Sequence, residues 1–148
     1  MVGLPGETED DIQSIVDLTL TGKEIIDQKK GKTRLALNIS PFVPKAGTVF
    51  ELLPMAPLKT IENRISFLKT RLAFKGIQVK HESPQWSEIQ AVLSRGDTSI
   101  AGILADIQKE SLPFWRDAVE KHHLDIDYLA HQKWENSGRI PWGIIKQS

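Results

Sequence analysis

The chain contains no cysteine among its 148 residues. This absence excludes disulfides, thiolate nucleophiles, zinc ribbons and iron–sulfur ligation by the chain's own side chains. Lysine plus arginine equals aspartate plus glutamate at 19 each, so no excess charge favours nucleic acid, an anionic membrane or an acidic substrate as a partner. No apolar run approaches the roughly 20 residues of a bilayer span, and the start lacks a signal-peptide pattern. These absences predict a cytoplasmic protein.

The first half of the chain alternates helical and strand patterns. Thr8, followed by three acidic residues, predicts a helix N-cap whose acids complement the helix dipole. Alternating apolar residues predict strands, and apolar residues at helical spacing predict the helices between them. The expected elements are a helix over 9–29, a strand over 33–41, a helix over 58–76 and a strand over 77–81. This order favours parallel strands joined by crossover helices.

The second half is entirely helical by its patterns. Pro84 after Ser83 is typical of a first helical turn, and this helix should end near Arg95-Gly96. Further helices are expected around 100–107, 114–121 and 126–134. The apolar stripes that these patterns would bury run through Ile25 in the first helix and Leu93 in the helix after Pro84.

Two connecting segments attract attention because of their glycine and proline content. Residues 3–8 read Gly-Leu-Pro-Gly-Glu-Thr and lie where a strand would pass into a helix, a place where parallel α/β proteins bind ligands. From the residues alone, an ordinary turn with a helix cap is favoured over a ligand-binding loop. Residues 41–57 carry four prolines and predict a long ordered loop, and loops of that length are more often functional than not.

Several strings along the chain resemble those of radical S-adenosylmethionine (radical SAM) enzymes. Met-Val-Gly-Leu-Pro-Gly-Glu-Thr-Glu-Asp-Asp at 1–11 is similar to the segment after the fifth strand of that family. Asn-Ile-Ser-Pro-Phe-Val-Pro-Lys-Ala-Gly-Thr at 38–48 resembles its sixth-strand segment. Glu-Ser-Pro at 82–84, Trp86, Ser-Arg-Gly-Asp at 94–97 and Ile-Pro-Trp at 140–142 resemble the C-terminal extension of the cobalamin-binding type.

The resemblance implies an α/β fold: residues 1–82 would form the C-terminal portion of a partial (β/α) barrel, with two or so parallel strands and crossover helices, and residues 83–148 an all-helical extension. The complete protein would carry a 4Fe-4S cluster on three cysteines, use S-adenosylmethionine, and in this type bind cobalamin. The present chain would bind none of these alone, would have no catalysis of its own, and would have the missing N-terminal region as its partner. The implied cofactor-binding residues are Gly3, Leu4, Pro5, Gly6, Glu7, Asn38, Phe42 and Val43.

Other features receive simpler interpretations. Adjacent histidines point to different faces of a helix, so His122 and His123 do not favour a metal site. The four tryptophans are expected to be core or interface anchors. An incomplete barrel would expose a sheet edge, which predicts a homodimer. The alternative from another class is a stand-alone helical interaction module without catalysis, in which the Gly/Pro loops are structural.

Overall fold

A computed structural model describes residues 1–29, 33–135 and 140–142, and it divides the chain into two compact units. The first consists of Met1–Phe42 and Ala56–Pro84, and the second of Val43–Met55 and Gln85–Ser148. Mixed α/β structure with mostly helices agrees with the predicted class. The sequence interpretation grouped residues 43–55 with the strand before them, whereas the structure groups this segment with the second unit.

The first unit contains two long helices and a small parallel sheet. Its elements are α1 (Glu9–Gln28), β1 (Ala36–Ile39), α2 (Leu58–Ala73) and β2 (Gln78–His81). Thr8 caps α1 as predicted: its hydroxyl accepts from the Asp11 amide at 3.2 Å, and the Asp11 carboxylate accepts from the Thr8 amide at 2.8 Å. This reciprocal capping satisfies two amides that a helix start otherwise leaves unpaired.

The sheet of the first unit is covered on one face. β1 and β2 pair in parallel, with Ala36 opposite Gln78 and Asn38 opposite Lys80. These four side chains share one face and are exposed, whereas Ile39 on the other face is buried. α2 packs against β2 and α1 packs against α2. The core of this unit comprises Val2, Ile12, Val16, Ile39, Phe42, Ile61, Ile65, Leu68, Leu72 and Ile77.

The second unit is helical and holds all four tryptophans. It contains α3 (Pro84–Arg95) from its second residue onward, α4 (Ile100–Asp106), α5 (Leu112–Lys121) and a π-helical turn at Asp127–His131. Trp115, Trp134 and Trp142 are buried, which confirms their expected role as core anchors.

Three local predictions were wrong. Ile25 and Leu93 are exposed rather than buried. The helix expected over 126–134 is only the short π-helical turn, because backbone groups just beyond it bond elsewhere: the Trp134 amide donates to the Leu52 carbonyl at 2.9 Å.

Among the described residues, no helix is both long and apolar enough to cross a membrane.

Candidate functional site

The loop Gly3–Glu7 depends on two glycines in the left-handed region of backbone conformation. Gly3 has φ of 88° and Gly6 has φ of 83°. A side chain at Gly3 would also meet α2, since a Cβ there would lie 3.3 Å from Ile61 Cγ1. Nothing lies within 4 Å of a Cβ built at Gly6. Glycine is therefore required at Gly3 by both conformation and space, and at Gly6 by conformation alone.

A closed set of hydrogen bonds fixes the shape of this loop. The Glu7 carboxylate accepts from the Gly3 amide at 2.7 Å and from Arg64 Nη1 at 2.6 Å through the same oxygen, Oε2. Arg64 Nη2 donates to the Glu7 carbonyl at 2.7 Å, and the Glu7 amide donates to the Leu4 carbonyl at 3.0 Å. The Glu7 and Arg64 side chains are 6% and 11% exposed. The two charges are thus largely shielded from water. An ion pair in such a buried position is less screened by salt than one at the surface.

Glu7 therefore shapes the loop. The resemblance implies a cofactor-binding role for Glu7, and in the structure its carboxylate makes the local bonds to Gly3 and Arg64. The sequence did not indicate Arg64, which lies 57 positions away on α2. A single arginine on an amphipathic helix gives no signal that its side chain returns to a distant loop. Leu4, in contrast, keeps its side chain 37% exposed at the loop surface.

The residues after three parallel segments lie at one edge of the sheet. Val2 forms a parallel bridge with Pro41: its amide donates to the Ser40 carbonyl at 3.0 Å, and the Phe42 amide donates to the Val2 carbonyl at 2.7 Å. β1 in turn pairs with β2. The segment at Val2, β1 and β2 thus lie side by side in the order in which they occur in the chain. Because all three run in the same direction, the Gly3–Glu7 loop and Phe42 both lie at the carboxyl edge of the sheet.

The remaining predicted site residues are dispersed. Asn38 lies on the exposed face of the sheet, in a cleft of about 350 Å³ whose other polar lining includes Ser40 and Lys80. The Phe42 side chain is buried in the first unit's core, so only its backbone could line a site. Val43 is half-buried and belongs to the second unit. Within one unit, then, the structure brings together the Gly3–Glu7 loop and the Phe42 backbone.

Comparison with known proteins gives one point of reference. The chain is 30% identical over 138 residues to the uncharacterized protein MJ0966 of Methanocaldococcus jannaschii. The match covers 93% of this chain and 28% of that relative, so most of the relative's length lies outside it. No protein-family model matches the chain, and no solved structure matches it.

The second unit contains a buried cation, Arg95, at the end of α3. Arg95 is fully buried. Its guanidinium donates to the carbonyl oxygens of Leu53 at 3.0 Å, Gln132 at 3.2 Å and Ala130 at 3.4 Å. Its carbon Cζ lies 5.0 Å from the ring centroid of Trp142. Burial lowers the pKa of Arg95 to about 10, and nearby Glu51 opposes this shift.

Through these contacts, Arg95 connects segments that are distant in sequence. The carbonyls belong to the 43–55 segment and to the stretch that follows α5, and no described carboxylate lies within ion-pair distance of the guanidinium. Because a buried charge is costly, it needs compensation, and the carbonyl dipoles, the indole faces and the charge of nearby Glu51 supply it. Arginine at a helix C-terminus ordinarily complements the helix dipole in water, so its position in the sequence does not indicate burial.

An apolar cleft of about 400 Å³ also lies in the second unit. Trp86, Ile89 and Leu93 line it from α3, Leu104 from α4 and Trp115 from α5. Leu93 and Leu104 are exposed at its margin. Helical periodicity placed Leu93 in the core, whereas in the structure it lines this cleft and is exposed.

Of the two adjacent histidines, His122 lies beside an acidic side chain. His122 Nε2 lies 2.5 Å from Asp106 Oδ2, and the Lys121 amine lies 2.8 Å from the same oxygen. These partners lower the pKa of the Asp106 carboxyl, with the Lys121 hydrogen bond contributing most. Within the described parts of the chain, no group of three or more histidine, aspartate or glutamate side chains could hold a metal ion.

Proposed function

We propose that this chain is the C-terminal part of a cobalamin-binding type radical SAM iron–sulfur oxidoreductase located in the cytoplasm. Residues 1–82 would complete a partial (β/α) barrel, and residues 83–148 would form its helical extension. The complete protein would cleave S-adenosylmethionine reductively to begin a radical modification. The chain alone would be inactive, because it supplies no cysteine for the cluster.

The observation that carries the proposal is the arrangement of the first unit. Three parallel segments follow one another in chain order, and the glycine loop lies at their carboxyl edge. Neighbouring parallel strands in chain order are typical of a (β/α) barrel, in which helices cover the outside and ligands bind at the carboxyl edge. The exposed face with Asn38 and Lys80 corresponds in this interpretation to the inside of the barrel.

Two further observations support the proposal. Arg95 and Trp142 come from different strings of the resemblance, and the guanidinium of one lies beside the ring of the other. In addition, the relative from Methanocaldococcus jannaschii extends well beyond the match, which leaves room in such a protein for a cluster-binding region. That region would be the main partner of this chain.

The fit of the implied cofactors differs between them. The cluster has no ligand here, so its cysteines would have to come from the missing region. S-adenosylmethionine would bind at the loop edge, where the exposed Leu4 side chain would supply an apolar wall for its purine and the adjacent glycine backbone would allow close approach. When bound with the cluster, it would supply the radical chemistry. The role of this chain's residues would be to position its adenine.

The proposal is tested in a protein that joins this chain to its upstream coding region. We expect that region to contain a Cys-x-x-x-Cys-x-x-Cys motif, and the anaerobic, reduced protein to cleave S-adenosylmethionine. Leu4→Glu should raise the KM for S-adenosylmethionine about tenfold, because it introduces a charge into the apolar wall. Leu18→Glu is the matched control, since Leu18 is 75% exposed on α1.

An upstream stop codon, or equal KM values for the two variants, would reject the proposal. With the isolated chain, we expect no cleavage and almost no calorimetric heat on adding S-adenosylmethionine. The predicted homodimer is checked on the same sample by light scattering, where a monomer at high concentration contradicts it.

The interaction module remains the second candidate, and the apolar cleft in the second unit favours it. Leu93 and Leu104 are exposed at its margin, and apolar side chains grouped around a cleft are a feature of interaction sites. This candidate predicts that the isolated chain, with no upstream region, is the complete functional protein. The upstream reading frame therefore separates the two candidates.

A further inference from the structure

His131 occupies a position in which both of its ring nitrogens face hydrogen-bond acceptors. It lies at the end of the π-helical turn, with Nδ1 3.0 Å from the Met55 carbonyl oxygen and Nε2 2.9 Å from Glu88 Oε1. A carbonyl can only accept, and so can an ionised carboxylate. Both contacts are hydrogen bonds only when each nitrogen carries a proton, which is the imidazolium form.

We propose that His131 is a pH-dependent clamp, which in its imidazolium form fastens the end of the 43–55 segment to α3. The Glu88 side chain supplies the α3 end, and the Met55 carbonyl supplies the segment end. Loss of one proton leaves a neutral ring with a single N–H donor. The charged Glu88 carboxylate is the stronger acceptor and keeps that donor, so the contact with the Met55 carbonyl is the one that breaks. The proposal is independent of the function proposed above.

The clamp acts beside a short stretch of backbone pairing. The Met55 amide donates to the Ala130 carbonyl, and the Trp134 amide donates to the Leu52 carbonyl, each at 2.9 Å. Met55 therefore bonds through its amide to Ala130 and through its carbonyl to His131. Loss of the bond to the Met55 carbonyl should make local opening of this backbone pairing easier. The Met55 amide, which the pairing protects, should then exchange faster with solvent.

Charged groups from each surrounding element act on His131. Glu88 faces it from α3 and Asp127 from the π-helical turn, and both favour the imidazolium form. From the 43–55 segment, the Met55 carbonyl does the same. Arg95 is the nearby cation, and its guanidinium donates to the carbonyl of Ala130, the residue before His131. The Glu88 hydrogen bond is the largest influence, and it raises the pKa of His131 against the opposing effect of burial.

The direction of the pH effect follows from the raised pKa. The stabilisation is fully present below the unfolded-state value of about 6.5 and is lost as pH rises through the folded-state value above it. The side chains of His131 and Glu88 are 17% and 16% exposed, so water is available to the partner that is released. We therefore expect an engaged clamp in mildly acidic solution and a released one in mildly alkaline solution.

The test uses the full 148-residue chain in an NMR titration between about pH 5.5 and 9. The ring protons of His131 report its titration, and amide exchange of Met55 and Trp134 reports the junction. We expect a His131 midpoint above 6.5 and, through the same pH range, a fall of about five- to tenfold in protection after correction for intrinsic exchange. Such a fall corresponds to the loss of one hydrogen bond.

Two variants and one control make the test specific. Glu88→Gln keeps an acceptor oxygen but removes the charge, so the midpoint should move down and the fall in protection should move with it. His131→Gln should abolish the pH dependence. His123→Asn is the control, because His123 has φ of 53°, a conformation that asparagine tolerates. It should leave the fall unchanged.

A His131 midpoint at or below 6.5 overturns the proposal, as does protection of Met55 that is constant with pH in the parent chain. Persistence of the fall in His131→Gln overturns it as well. If that variant does not fold, the parallel shift of midpoint and protection in Glu88→Gln decides the question alone: movement of both supports the clamp, and movement of only one rejects it.

Discussion

Replacement of Arg95 by methionine tests whether a buried cation whose guanidinium bonds to backbone carbonyls stabilises this fold. Methionine fills a similar volume but donates no hydrogen bond, so the Leu53 and Gln132 carbonyls lose their guanidinium partner. The Ala130 carbonyl keeps the bond from the Met55 amide. A carbonyl left unsatisfied in the interior costs about 1–3 kcal/mol, so the two cost at most about 2–6 kcal/mol. Gln132 is exposed, and water replaces part of its bond.

Relief of the cation's desolvation offsets part of this cost, because a buried charge is unfavourable by several kcal/mol before its partners compensate it. We expect Arg95→Met to lower the free energy of unfolding of the second unit by about 3 kcal/mol. Arg95→Lys should not restore stability, since one amine cannot reach three carbonyls that a planar guanidinium serves together.

The assay is urea unfolding followed by tryptophan fluorescence. All four tryptophans belong to the second unit, so the signal reports that unit. With a typical urea dependence for a small domain, the expected loss moves the midpoint down by about 1.5–2 M. Arg116→Met is the control, because Arg116 is exposed on α5 and should change stability by less than about 0.5 kcal/mol. An Arg95→Met variant as stable as the parent would show that desolvation outweighs the carbonyl bonds.

Two pairs of glycine substitutions test the backbone arguments. Gly3→Ala should cost about 2–3 kcal/mol and Gly6→Ala about 1 kcal/mol, because both have positive φ but only Gly3 lacks space; circular dichroism during urea unfolding measures both, and equal losses would contradict the packing argument. Gly96→Ala should destabilise the second unit by more than about 2 kcal/mol, since its Cβ would lie 2.3 Å from Ile100 Cγ1. In Gly22→Ala on α1, the nearest contact of the new Cβ would be at 3.9 Å, so this variant should instead be stabilised by about 0.5–1 kcal/mol. A higher unfolding temperature for both Gly96→Ala and Gly22→Ala would contradict this difference.

The parts of the fold that the sequence predicted are those set by local chemistry. The start of α1 follows from Thr8 and the acids after it, and the buried face of α2 follows from helical spacing of apolar residues. β1 and β2 follow from short alternating runs. Each of these signals lies within a few residues of the structure that it determines.

The parts that it missed depend on contacts between distant positions. The helix expected over 126–134 is replaced by a π-helical turn because the Trp134 amide and the Gln132 carbonyl bond to Leu52 and Arg95. No local pattern encodes such partners. The same reason explains the candidate site: the glycines of the Gly3–Glu7 loop were evident in the sequence, but the bond from Arg64 that closes the loop was not. The cofactor-binding role of these residues stays a prediction.

The Glu7–Arg64 pair has a consequence for the kinetics of any ligand that binds at the loop. The hydrogen bonds that define the loop's shape are made within the protein itself, so its backbone entropy is lost during folding rather than during association. A ligand would meet a preorganised surface, and little ordering cost would be subtracted from its affinity. Discrimination between ligands would then depend on how well each fits a fixed outline, and loop closure would not limit the association rate.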